Sequence, residues 1–182
     1  NSFTGGIPPQ FGALMNLEQL DLSMNKLTGE IPASFGNFSY LNKLILSGNN
    51  LSGPLPKSIR NLQKLTMLDL SNNSFSGPIP PEIGELSSLG ISLDLSSNRF
   101  VGELPEEMSG LTQLQSLNLA SNGLYGSISV LGTLTSLTSL NISYNNFSGA
   151  IPVTPFFKTL SSNSYIGNAN LCESYDGHTC AS

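Results

Sequence analysis

The sequence predicts an α/β-type repeat solenoid, with one short strand per coil and the strands stacked into a parallel sheet. Three observations point there. An Asn recurs at Asn1, Asn25, Asn49, Asn73, Asn98, Asn122 and Asn145, at spacings of 24, 24, 24, 25, 24 and 23 residues. An alternating apolar pair precedes it, as in Leu68-Asp69-Leu70 before Asn73. A large apolar residue follows two positions after it (Phe3, Leu27, Leu51, Phe75, Phe100, Leu124, Phe147), and a Gly stands two further on. A fixed period in this range is the mark of a stacked-coil architecture.

Each part of the unit has a physical task. The alternating pair has the period of a strand, so Leu20, Leu22, Leu44, Leu46, Leu68, Leu70, Leu93, Leu95, Leu117, Leu119, Leu140 and Ile142 point inward. The Asn ladder (Asn25, Asn49, Asn73, Asn98, Asn122, Asn145) turns inward where the chain leaves the strand. There its amide bonds backbone groups that no sheet satisfies. The Gly permits torsions that a side chain forbids, and the Pro of pairs such as Ile31-Pro32 and Leu55-Pro56 ends the following segment. A single coil cannot bury its own apolar face, so stability comes from contact between neighbours.

Two coils depart from the rhythm. Three residues, Gly90-Ile91-Ser92, separate Leu89 from Leu93 where other coils have two, which predicts a bulge before that strand. The coil beginning at Asn122 is one residue short and has Ser129 where Pro is expected, so its convex side is differently shaped.

Composition excludes some partners. With a formal net charge of −5 and only 10% charged residues, the chain has no basic stripe for nucleic acid and no feature that favours an anionic membrane. No stretch is long and apolar enough to span a bilayer.

The repeats resemble the plant-specific leucine-rich repeat, which continues past the Asn as Leu-x-Gly-x-Ile-Pro. The resemblance runs from Asn1 to Pro152, taken as a solenoid of about seven coils, the first incomplete (1–152). Residues 153–182 are read as a capping segment. The tail, from Tyr165-Ile166-Gly167-Asn168 to Cys172 and Cys180, is similar to the C-terminal cap of plant leucine-rich-repeat receptor kinases. The wording is closest to the subfamily of receptors for root meristem growth factor peptides. The resemblance implies a right-handed superhelix with a concave parallel sheet, a second strand row, and short 3-10 or irregular convex segments. It also implies a plasma-membrane receptor with an intracellular Ser/Thr kinase, facing the cell exterior. The implied partners are a peptide hormone, bound mostly on earlier coils, and a co-receptor of the somatic embryogenesis receptor kinase family. The Arg-x-Gly-Gly peptide-gripping motif of the growth-factor receptors is missing, so no hormone site is carried over. A secreted inhibitor similar to polygalacturonase-inhibiting proteins is the alternative.

Cys172 and Cys180 are the two cysteines, and in an oxidising compartment a disulfide between them closes the cap. Such a short ring stabilises by about 2–3 kcal/mol. A zinc site with His178 is the rival, but it lacks a full ligand set. Neither a metal nor a cofactor is expected. Asn-x-Ser acceptors for glycans occur at Asn37, Asn50, Asn72, Asn141 and Asn146. Asn50 and Asn146 follow the repeat Asn and are the better placed, whereas a glycan on Asn141 obstructs the strand face. The first coil starts midway and has no cap, so a truncated chain, a proteolytic fragment or packing of that end against something else is expected.

A position that recurs down one face makes outliers visible. Before each repeat Gly stand Thr4, Thr28, Ser52, Ser76, Val101, Tyr125 and Ser148. Before each Asn stand Met24, Gly48, Asn72, Ser97, Ser121 and Tyr144. Exposed Tyr is favoured at interface cores, so Val101, Tyr125 and Tyr144 are assigned to a partner patch, with Phe156 and Phe157 as further members. The competing reading has the tyrosines shielding neighbouring coils and the two Phe plugging the last one. For the Phe pair the plug is preferred. Asp69 and Asp94 fall on neighbouring strands, a pairing compatible with acid–base sugar hydrolysis. Yet the column alternates between Asp and Asn, and no nucleophile or oxyanion site accompanies it, so no enzyme is expected.

Overall fold

The structure is a computed structural model and describes residues 1–172. Fourteen strands lie within them. In chain order they are β1 (Thr4–Gly6), β2 (Gln19–Asp21), β3 (Lys26–Gly29), β4 (Lys43–Ile45), β5 (Asn50–Gly53), β6 (Met67–Asp69), β7 (Ser74–Gly77), β8 (Ser92–Asp94), β9 (Arg99–Gly102), β10 (Ser116–Asn118), β11 (Gly123–Gly126), β12 (Ser139–Asn141), β13 (Asn146–Ala150) and β14 (Asn170–Cys172). The even strands up to β12 form one six-stranded sheet, and the odd strands with β14 form an eight-stranded one. Strands pair in parallel from coil to coil, as in Leu44↔Leu68 and Leu68↔Leu93. The helical segments are all 3-10, the longer ones five residues each, from Pro9–Ala13 to Ser129–Thr133.

The twelve inward residues of the six-stranded sheet are buried, apart from Leu22, which is half-buried. The apolar residue after the Asn is buried from Leu27 to Phe147, whereas Phe3 in the first coil is exposed, and Phe75 stacks on Phe100 with centroids 6.3 Å apart. A fully buried side chain of this size stabilises by about 1.5–3 kcal/mol. The repeated Gly adopts positive φ in all seven coils, between 78° and 94°.

The Asn ladder works through coil-to-coil bonds. Asn98 Oδ1 accepts from Phe75 N at 3.0 Å, and its Nδ2 donates to the carbonyls of Leu70, Leu95 and Ser96. Asn73, Asn122 and Asn145 repeat the pattern. A seventh member escaped the sequence reading. Asn168 accepts from Phe147 N and donates to Ile142 O and Tyr165 O. Tyr165 holds the place of the last inward Leu there, which hid the repeat. The stacking thus continues past Pro152, since β14 pairs with β13, and Ile142 N and Tyr144 N donate to Ser164 O and Ile166 O.

The residue before each Asn is left-handed in seven successive coils. Met24, Asn72, Ser97, Ser121 and Tyr144 have φ of 53–57°, and Gly48 and Gly167 take the same sign. Sequence alone did not reveal this, because five of the seven carry side chains. Their N–H groups donate to the next coil, as Ser97 N does to Ala120 O at 2.8 Å, which holds a conformation that costs about 1–2 kcal/mol.

Both irregular coils behave as their spacing implies. Around Ile91 the donor and acceptor roles that one residue normally fills are split. Ile91 N donates to Thr66 O, while Gly90 O accepts from Gln115 N, and the Ile91 side chain bulges out, exposed. In the short coil the extended Pro that precedes the 3-10 turn elsewhere (φ −60° to −72°) is the residue that is missing. Ile128 takes its place at φ −102°, ψ 14°, and Ser129 becomes the first residue of the turn.

Candidate partner-binding face

The strand face that carries Asp69 and Asp94 is chemically committed. The two are in register on neighbouring strands, but each carboxylate clasps the Ser two residues on. Asp69 Oδ1 accepts from Ser71 N at 3.0 Å and Ser71 Oγ at 2.7 Å, and Asp94 does the same with Ser96. Asp21 and Asn141 make the same clasp with Ser23 and Ser143. Bonding to Ser23 holds the Asp21 carboxyl below its ordinary value, first through the hydroxyl and then through the backbone N–H. Asn118 Nδ2 reaches across to Asp94 Oδ2 at 3.0 Å. These carboxylates brace the turn out of the strand. Among the described residues no group of His, Cys, Asp and Glu is arranged to hold a metal ion.

The apolar outliers gather along one edge. Val101 on β9 lies opposite Gly123 on β11, and Tyr125 stands two residues beyond on the same outward face. Tyr125 in turn pairs with Asn146, two residues after Tyr144. All three are exposed: Val101 and Tyr125 by 47%, Tyr144 by 60%. Ile166, exposed on the next coil, accepts the Tyr144 N–H through its carbonyl and extends the strip. It is the single large aliphatic in a column that otherwise reads Ser23, Ser47, Ser71, Ser96, Ala120, Ser143. Recognising Asn168 as a repeat Asn would have exposed that signal.

Two of the three also shield a neighbour. A Cβ on Gly167 would sit 2.8 Å from Tyr144 Cδ1, and one on Gly123 3.1 Å from Val101 Cγ1, so these side chains lie across the glycine of the next coil. Met24 covers Gly48 in the same way. Tyr125 has no glycine opposite it and is the outlier that shielding does not explain.

Phe157 must be removed from the exposed patch. It is only 6% exposed and belongs to the core, and Phe156, half-buried, meets it edge-on with centroids 5.7 Å apart. The pair lies at the last coil beside Leu131 and Leu134. Asn37, Asn50, Asn72 and Asn146 are exposed, whereas Asn141 is half-buried with Oδ1 engaged by Ser143. The Cys172–Cys180 pairing and His178 involve residues outside those described.

Comparisons agree with this architecture. Sequence models of the leucine-rich repeat match residues 15–75, and residues 91–111 and 136–156, together more than half of the chain. Over 55 residues the chain is 67% identical to the LRR receptor-like serine/threonine-protein kinase RGI5 of Arabidopsis thaliana, which covers 30% of this chain and 5% of that protein. It is similar to the Arabidopsis receptor kinase HAESA, solved with the peptide hormone IDA and the co-receptor SERK1. That match has a TM-score of 0.89 and 37% identity over 98% of this chain and 30% of that one. The plant peptide hormone receptor RGFR1, solved with RGF2, matches with a TM-score of 0.65 and 36% identity over 96% of this chain and 35% of that one. The chain thus spans a third or less of the receptor chains, or little more, and a small fraction of the curated relative.

Proposed function

We propose that this chain, which belongs to the leucine-rich-repeat family, is a partner-binding segment of the extracellular ectodomain of a plant peptide-hormone receptor kinase. The observation that carries this reading is the match of 98% of the chain to HAESA, whose structure includes a hormone and a co-receptor. The segment works as a rigid scaffold. Its ladder fixes the coils, and the strip around Tyr125 is left free to meet a co-receptor of the SERK family. The hormone engages mainly other repeats of the receptor. Signalling then passes through the pairing of two receptor chains, with a Ser/Thr kinase on the cytoplasmic side.

We assign the chain further to the root meristem growth factor receptor subfamily and to the membrane-proximal end of its ectodomain. The identity to RGI5, the match to RGFR1 and the cap-like tail support this. In this setting Asn37, Asn50, Asn72 and Asn146 accept glycans, and Cys172 pairs with Cys180.

The test is a titration of a SERK-family ectodomain against the receptor ectodomain carrying this chain, with hormone present. Tyr125→Ala is expected to weaken binding by about tenfold, the range of a buried aromatic anchor. Unchanged affinity rejects the patch. Inhibition of a polygalacturonase by a chain that binds no co-receptor would move the reading to a secreted inhibitor.

A further inference from the structure

Asn122 is followed by Gly123, the only Asn-Gly pair in the 182 residues. A Gly after Asn leaves the backbone free to fold back on the side chain, because no Cβ blocks the approach. In that reaction the Gly123 nitrogen attacks Asn122 Cγ. A C–N bond forms, the Gly N–H proton is lost, and Nδ2 departs with a proton as ammonia. Water then opens the resulting five-membered imide at one carbonyl or the other, which leaves either Asp or an isoaspartyl linkage.

The folded ladder opposes this step. Asn122 Oδ1 accepts from Phe100 N at 3.0 Å, and Nδ2 donates to Leu95 O at 3.0 Å, Leu119 O at 3.2 Å and Ala120 O at 3.3 Å. The amide cannot turn its carbon toward Gly123 without releasing these bonds. A Cβ on Gly123 would lie 3.1 Å from Val101 Cγ1 and 3.2 Å from Phe100 O, a tight contact for which those neighbours would have to shift. The Asn-Gly pair thus stands at a structural position, a ladder Asn followed by the first residue of β11. Once formed, the product does not fit: a carboxylate oxygen in place of Nδ2 faces three carbonyl oxygens, and an isoaspartyl link adds a backbone atom at the entry to β11.

We propose that Asn122 is a deamidation site kept silent by the fold, and that conversion during a transient opening of its coil prevents the coil from closing again. The chain then records its own unfolding at one residue. Asn98 and Asn145, which have the same bonding but are followed by Arg99 and Asn146, are internal controls.

The experiment incubates the intact chain at mildly alkaline pH with and without urea, and quantifies Asp and isoaspartate by peptide mass spectrometry. Conversion of Asn122 should be at least about tenfold slower without urea, since reaction then requires local opening. In urea Asn122 should convert well ahead of Asn98 and Asn145. Equal rates with and without urea, or no excess over the controls in urea, would overturn the proposal. A recombinant Asn122→Asp chain should melt below the parent, and an unchanged midpoint would refute the claim that the product cannot be accommodated.

Discussion

At the scale of single residues, the ladder Asn answers several backbone groups at once. Replacing Asn98 with Ala strips Phe75 N of its acceptor and three carbonyls of a donor. Chemical denaturation should show a loss of about 3 kcal/mol, within the range for leaving buried polar groups unanswered. A loss below that of an ordinary surface substitution would mean that water enters the corner. The Asp–Ser clasp has a pH signature. Because bonds to Ser23 lower the Asp21 carboxyl in the folded state, the clasp stabilises above the unfolded chain's value and its contribution disappears as pH falls through the folded one. Unfolding midpoints followed into the acid range should fall more steeply for the parent than for Asp21→Asn. Identical slopes would remove Asp21 from the acid response. The ladder was legible in the sequence because its chemistry repeats. The left-handed residue before each Asn was not, since Met24, Ser97 and Tyr144 share no side-chain chemistry and only the backbone shows what they have in common.

At the scale of elements, regular spacing announced the six-stranded sheet and the irregular spacings announced the two odd coils. Counting residues placed a bulge within Gly90-Ile91-Ser92 but could not say which residue protrudes or how the bonds divide around it. Because Gly90 supplies the acceptor and Ile91 the donor, deleting Ile91 returns both roles to one residue and removes an exposed side chain. The deletion should change stability by less than about 1 kcal/mol, far below the usual cost of removing a residue from a packed element. A large loss in thermal denaturation would show that the bulge fixes the geometry between β6 and β8. The cap was harder to read. Tyr165 and Asn163 stand where an apolar pair would signal another strand, so the coil around Asn168 was concealed although its Asn bonds like the others.

At the scale of the whole molecule, neighbour-to-neighbour bonding gives a long scaffold whose faces differ in availability. The Asp–Ser clasps occupy much of one strand face with internal bonds, and the aromatic strip lies along another edge. Sequence columns found Val101, Tyr125 and Tyr144, but only the packing separated a side chain that covers a glycine from one that does not. Phe157, added to that patch from outside the columns although a plug was the preferred reading for it, is buried in the core. The most direct test of the account is a crystal structure of the receptor ectodomain containing these coils, bound to a SERK-family ectodomain. The account predicts that Tyr125 is buried against the co-receptor, with Tyr144 and Ile166 at the margin and the Asp–Ser clasps intact. A co-receptor seated elsewhere, with Tyr125 still open to solvent, would contradict it.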